Sequence, residues 1–556
     1  EGSISASSST KLIPIVDQLN AQFVLKGSSL DHLQLFVSSF AAKVGGQSWS
    51  LDGASVVLAG IEADREMGIH LPRLDMADLF ATMRMLGQET GLIGASTRQQ
   101  LEQLDPTGEL SEIQLKMNLS SGLSSLKLSA ALSDVRINAY EVIPGISSLS
   151  GYVSTTLTDG YLDVHNEQPF SLNFAAMFPE AWRFDNAHAR FNYHSQDVGT
   201  ERRLLQISSD LVRVTDGNLS ASGRVHLNLP SLRENQTWGV EVGLNAGELG
   251  DVGRYLPSVL PQQVQDWINR ALVSGRANEG GMVIHGSLYR GEPRDRKVHE
   301  LFLKASEVEF DYDPKWPKIV DLGATVFVGY NSIYSDNIVG QVIGNELTSA
   351  SFRVPVHPDG ATDSVLVNGR FKADVESGIY LLNNTPIADA TMGMAETWQG
   401  DGLLTGELNL DVPIGKRAGD VVNVGVQVDL MDARLSMPLF NLEIDGLSGL
   451  IEYETATGLR SPGFTGMMFD EPVKGIIDTE LIAEQGQINV QVDGTVSARD
   501  LHQWSNQVLM TQMEGLLDYN VNVHIPVGGD AAPIWVEATS DLVGVHVDLP
   551  APLGKP

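Results

Sequence analysis

The sequence contains no cysteine, which excludes disulfides, thiol nucleophiles and cysteine-ligated zinc. It is also poor in charge. Asp, Glu, Lys and Arg make up 19% of it, and 70 acidic residues outweigh 37 basic ones to give a formal net charge of −33. So acidic a surface repels phosphate backbones, and no Lys/Arg-rich run offers a local exception, so no nucleic-acid partner is expected. No stretch reaches the roughly 18 uninterrupted apolar residues that a membrane-crossing helix needs. The opening Glu1-Gly2-Ser3-Ile4-Ser5 is not a signal peptide, and the closing residues 549–556 read as a loop. The sequence is therefore expected to be a segment of a longer chain.

Hydrophobic residues supply 42% of the 556 positions and glycine supplies 55 of them. That is more chain than one hydrophobic core organises, so several domains or a repeat array are expected. Apolar and polar residues alternate through Leu115-Lys116-Met117-Asn118-Leu119, Leu408-Asn409-Leu410-Asp411-Val412, and the runs 424–430, 488–492 and 521–525. A period of two puts the apolar side chains of a strand on one face. Turns are expected at Asp52-Gly53, Asp159-Gly160, Asp216-Gly217, Asn368-Gly369, Asp401-Gly402 and Asp493-Gly494. This punctuation divides the chain into roughly 30 to 40 strands. Helical spacing is rare. Short candidates cover 78–86, 97–104, 374–382 and 498–509. The clearest is 261–272, where Val264, Trp267, Ile268 and Leu272 share a face, Pro261 suits the first turn and Gly275 follows the end.

An internal repeat is visible. Val135-Arg136-Ile137 and Leu149-Ser150-Gly151-Tyr152-Val153 recur 173 residues later as Val308-Glu309-Phe310 and Leu322-Gly323-Ala324-Thr325-Val326. They recur again 298 residues later as Ala433-Arg434-Leu435 and Leu447-Ser448-Gly449-Leu450-Ile451, and Ile146, Ile319 and Ile444 keep the same offsets. Residues 367–373 align with 492–498 at an offset of 125, with a helical candidate after each. The repeat suggests three segments: 1–250, then 251–386 opening with the helix 261–272, then 387–556 carrying the helix 498–509.

Catalytic and ligand-binding patterns are missing. No His-Glu-x-x-His, Gly-x-Ser-x-Gly or Walker-type loop occurs. His188 and His194 flank the strand-like Phe191-Asn192-Tyr193 and read as surface or satisfied residues. Ser124-Ser125-Leu126-Lys127 has the Ser-x-x-Lys spacing but lies in an alternating run. The glycine pairs at 45–46 and 280–281 lack the strand-to-helix setting of a phosphate site. No enzyme activity, metal or cofactor is expected. The aromatic runs Trp182-Arg183-Phe184 and 310–317 read first as hydrophobic corners at strand ends.

A long sheet with one apolar face must hide that face. Helices are too few to cover it, so periodicity alone favours an array of β-sandwich domains. The alternative is an elongated, curved antiparallel sheet with a few short helices, a repeating β-groove whose apolar concave face stays open. Such a face suits acyl chains, at roughly 0.8 kcal/mol per buried methylene.

One stretch bears on the choice. Tyr255-Leu256-Pro257, Trp267, Ser274-Gly275-Arg276-Ala277, Gly286-Ser287-Leu288 and Phe310-Asp311-Tyr312-Asp313-Pro314-Lys315-Trp316-Pro317 follow one another in an order that resembles the YhdP-type AsmA-like family, as do residues 549–556 and, more weakly, 170–178. The resemblance implies a bacterial periplasmic bridge-like lipid transfer protein built of repeating β-grooves. It implies an inner-membrane anchor amino-terminal to this segment, a carboxy-terminal part reaching the outer membrane or its proteins, and no catalytic residues. It brings the open groove ahead of the sandwich. The expected partners become phospholipid acyl chains, and the apolar repeat positions Val135, Ile137, Val153, Val308, Phe310, Val326, Leu435 and Ile451 become candidate groove lining. The rival function is a non-enzymatic scaffold of the cell envelope without lipid cargo.

Overall fold

The computed structural model describes residues 2–7, 16–29, 32–44, 47–61, 64–81, 83, 95–140, 143–175, 177–197, 203–217, 219–287, 297–390, 393, 395–482, 485–527, 533–550 and 552–555. They form thirty-two strands and a few short helices. The chain divides into two compact units, Glu1–Asn269 with Arg276–Phe302, and Arg270–Gly275 with Leu303–Pro556. Within each unit the strands pair antiparallel, mostly with their neighbours in sequence. The expected mainly-β, antiparallel architecture with few helices is what the chain adopts.

In the first unit the ladder runs from Gly2–Ser7 through Val16–Ser29 to His32–Val44, whose two halves pair with Gln47–Leu51 and Ala54–Ala59. It continues through Glu66–Asp75, Thr107–Asn118, Lys127–Ile137 and Gly145–Thr155. Past Asp159–Asn166 and Asn186–Gln196 it ends on Leu219–Pro230, Thr237–Glu248 and Leu272–Ser287. Trp182 closes an aromatic corner with Phe174, Phe178, Phe184 and Tyr255, and its indole donates to the Arg254 carbonyl at 3.1 Å. In the second unit the meander runs from Ile319–Val328 to Met513–Val527 without a crossover, and Trp535–Thr539 and Val545–Val547 share its last edge.

The helices lie close to their expected places: Ala95–Leu104, Gln262–Ala271, Val375–Asn384 and Ala498–Ser505. Asp374 caps the third, its carboxylate accepting from the Ser377 amide, and Ser497 caps the last, its hydroxyl accepting from the Asp500 amide. The last helix stops short of 509 because Asn506 turns left-handed, and a 3-10 turn follows at Val508–Gln512. Residues 76–81 are helical, and 82 and 84–86 of that expected helix lie outside the described residues.

The repeat is a backbone device. Each time, a strand that follows a helix carries a glycine at positive φ: Gly108 (121°), Gly275 (134°) and Gly402 (108°). Asp134, Glu307 and Asp432 also hold positive φ, and each precedes a buried residue, Val135, Val308 or Ala433. At the first and third sites two residues of one strand oppose a single glycine, a β-bulge. A Cβ on any of the three glycines would sit 2.7–2.8 Å from the α-carbon of that buried residue, so no other residue type fits. A fourth copy, Gly515 with Gly544-Val545, follows the last helix. The cross-strand register repeats as well. Leu132↔Gly151, Val135↔Leu149 and Ile137↔Ile146 become Leu430↔Gly449, Ala433↔Leu447 and Leu435↔Ile444, every number raised by 298.

Three expected turns are not turns. Asn368-Gly369, Asp401-Gly402 and Asp493-Gly494 lie inside the strands Ser364–Asp374, Gln399–Pro413 and Gln485–Ser497. Gly402 serves the bulge, and Gly494 makes room for a ring on the next strand. Asp52-Gly53 is a turn, Gly53 and Gly217 hold positive φ, and Asp159 closes the hairpin through its carbonyl and the Thr156 amide at 2.7 Å.

Candidate functional site

Strand parity sorts the side chains of each sheet onto two faces, and the register carries that sorting from strand to strand. In the second unit one line of partners runs Phe371, Gly406, Val428, Ile451, and the lines beside it join Leu408 to Val426 and Leu404 to Leu430. The face they define takes positions 365–373 (odd), 404–412 (even), 424–430 (even), 433, 435, 437, 442, 444, 447–453 (odd), 459, 461, 464, 466, 468, 473–481 (odd), 488–496 (even) and 517–525 (odd). None of these residues is charged. Tracing the first unit from Thr107–Asn118 to Arg276–Ser287 in the same way gives a second apolar face, on which Asp216, at the end of Val212–Asp216 and 3.7 Å from Arg254, is the charged residue.

The opposite face carries the charge. Arg190 donates from Nε and Nη2 to both oxygens of Asp163 at 2.5 Å, which holds the Asp163 carboxyl below its ordinary range. Arg370 meets Glu407 at 2.8 Å, Arg460 meets Asp478 at 3.3 Å, and Arg434 reaches both Glu443 and Asp445. These are exposed cross-strand pairs on the water side. Across the sheet, Leu408, Leu410, Val424, Val426, Val428, Leu430, Val490 and Val492 are only half-buried. The inward side chains of a closed sandwich core would be covered from both sides. Part of the face is covered by the helix Val375–Asn384, whose Val375 and Ile379 pack among Leu404, Ala433, Leu447 and Phe464. The remainder is an apolar surface left only half-buried.

The eight sequence-predicted positions fall as follows. Ile137, Val153, Leu435 and Ile451 lie half-buried on the apolar faces, opposite Ile146, Ala130, Ile444 and Val428 respectively. Val326 shares parity with Val328, which pairs with Ile333 on the same face. Phe310 is half-buried and packs 6.1 Å from the ring of Tyr312, whose hydroxyl burial pushes up to about 12. Val135 and Val308, at 7% and 1% exposure, are enclosed at the bulges, and their own backbone lies against Gly108 and Gly275.

Sequence reasoning missed a second pattern on the same faces. Tyr193, Phe371, Phe464 and Tyr519 each stand directly opposite a glycine: Gly160, Gly406, Gly475 and Gly494. Each ring occupies the space a Cβ on its glycine would need. The signal was the set of glycines inside alternating runs, where a strand otherwise disfavours glycine.

Among the described residues no group of three or more His, Asp or Glu side chains could hold a metal ion. His188 packs edge-on against His165 at 4.5 Å, and His194 bonds Asp159, all on the charged face.

Residues 14–556 match the family model described as YhdP protein. The "Intermembrane phospholipid transporter YhdP" of Escherichia coli (strain K12) is 21% identical over 505 residues, covering 88% of this chain and 37% of that protein. The chain thus spans a little over a third of the length of that relative. No solved structure matches.

Proposed function

This chain belongs to the YhdP family, and from that premise we propose that it carries phospholipid, holding the acyl chains on the apolar faces of its sheets while the headgroups stay in water. The observation that supports this most is the complete lack of charge on the traced face of the second unit, which is only half-buried, beside an ion-paired face on the same strands. Each methylene moved from water onto such a surface contributes roughly 0.8 kcal/mol, so two acyl chains of a phospholipid supply ample affinity without a headgroup pocket. Ile137, Val153, Phe310, Val326, Leu435 and Ile451 line the path. Val135 and Val308 lie beneath it and fix the backbone. Three consecutive segments, 1–250, 251–386 and 387–556, each contribute a stretch of this lining.

The relative's name describes transport of phospholipid between membranes. We extend that to this chain. It works in the periplasm of a Gram-negative bacterium, joined to the inner membrane by an anchor outside this segment and reaching the outer membrane or its proteins by a part outside it at the other end. Passage along an apolar face needs no bond chemistry, so no catalytic group is required.

Native mass spectrometry of the chain purified from a bacterial host, with lipid extraction of the same sample, tests the reading. Co-purified phospholipid is the expected result. A bare protein mass, under conditions that keep lipid on an established carrier, would replace the reading with a structural scaffold.

A further inference from the structure

The four rings over glycines on these faces divide by what holds them. Tyr193 donates its hydroxyl to the Thr156 carbonyl at 2.5 Å. The Tyr519 hydroxyl is buried and finds no hydrogen-bond partner among the described residues, and burial pushes its pKa up to about 12. Nothing polar fixes that ring, so the vacancy over Gly494 is what receives it. The three atoms nearest a Cβ on Gly494 would all belong to the Tyr519 side chain, 2.5 Å to the hydroxyl oxygen, 2.7 Å to Cζ and 3.2 Å to Cε1. At Gly406 and Gly475 a Cβ would meet the far end of Phe371 or Phe464 and also a neighbouring carbonyl oxygen, 2.9 Å from Gln427 or 2.7 Å from Gln491.

We propose that these glycines set the clearance of the acyl-chain path: each lets an aromatic ring fold over the neighbouring strand, so that the ring adds apolar surface to the face without standing up into the space a chain occupies. The proposal rests on the lipid-carrying reading above. A rigid ring with two side-chain torsions offers wide apolar contact at little entropic cost, provided it lies low. Any side chain in place of the glycine levers the ring upward, and the obstruction is steric while the face stays uncharged. Phe371, Phe464 and Tyr519 repeat the arrangement within the second unit and Tyr193 carries it in the first, so the clearance is kept at several points along the chain.

Gly494→Ala, Tyr519→Ala and the double variant test this in the whole 556-residue chain. Each is incubated with vesicles of phosphatidylethanolamine and phosphatidylglycerol, and bound phospholipid is counted by native mass spectrometry. Gly494→Ala is expected to hold about half the wild-type lipid or less, since the overfilled site displaces the ring. Tyr519→Ala is expected to hold at least as much as wild type, and the double variant to return to the Tyr519→Ala level. Gly494→Ala loading like wild type would overturn the clearance role and leave the lipid reading intact. A double variant no better than Gly494→Ala would overturn it too, by tracing the loss to the strand and not to the ring. A wild-type chain that takes up no lipid would overturn both.

Discussion

Along the strand Asn423–Met437, Val424, Val426, Val428 and Leu430 point one way while Gln427 and Asp429 point the other. The first set belongs to a face with no charged residue, and the second to a face laced with pairs such as Arg370–Glu407 and Arg460–Asp478. Both faces are partly exposed, so burial alone does not distinguish them. What distinguishes them is what each can be solvated by. Water and mobile counter-ions satisfy the charged side, and exposed pairs of this kind contribute little to stability. The other side gains nothing from water and gains from hydrocarbon, such as the helix Val375–Asn384 supplies.

The bulges hold the two faces in register, and breaking one should have the largest effect. Gly402→Ala puts a methyl group against the Ala433 backbone at a positive φ. A loss of about 3 kcal/mol or more is expected in urea unfolding, against a negligible change for alanine at the exposed Glu407. Ala433→Leu overfills a site with 0% exposure, and about 1–3 kcal/mol should be lost in the same assay. Tyr519→Phe acts in the other direction. Removing a buried hydroxyl without a partner should stabilise the chain by about 1 kcal/mol, read as a higher unfolding midpoint. The smallest effect belongs to the charged face. The side chains of Asp163 and Arg190 are 34% and 45% exposed, so Asp163→Asn should cost less than about 1 kcal/mol at neutral pH. Because folding lowers the Asp163 pKa, its contribution is present above the unfolded value of about 3.9 and fades as pH falls through the folded one. Unfolding curves of wild type and Asp163→Asn should therefore converge in acid.

Much of this was legible in the sequence. Strict alternation marks the strands and their apolar sides, and the offsets 173 and 298 mark the bulged strands. The bulges themselves were less visible, although the alternation slips by one between Leu430 and Ala433, where Met431 and Asp432 intervene. Asp401-Gly402 and Asp493-Gly494 read as turns because the dipeptide looks the same in a hairpin and in a strand. Only the partner strand shows that Gly402 faces a backbone and Gly494 a ring. The fourth copy escaped because its second strand is split into Trp535–Thr539 and Val545–Val547, with Gly544 in place of an acidic residue. Val135 and Val308 show the limit of parity. It names a face, but it does not tell a residue enclosed at a bulge from one left half-buried on that face.

A matched pair of charges tests the central claim most directly. Ile451 lies half-buried on the uncharged face, and Ile476 lies 46% exposed on the opposite one. Ile451→Asp and Ile476→Asp add the same charge within the same unit. With the unfolding midpoint of each recorded alongside, phospholipid bound per chain is counted by native mass spectrometry. The account predicts that Ile451→Asp, still folded, loses most of its lipid while Ile476→Asp keeps the wild-type amount. Equal lipid on both variants, or a loss confined to Ile476→Asp, would contradict it.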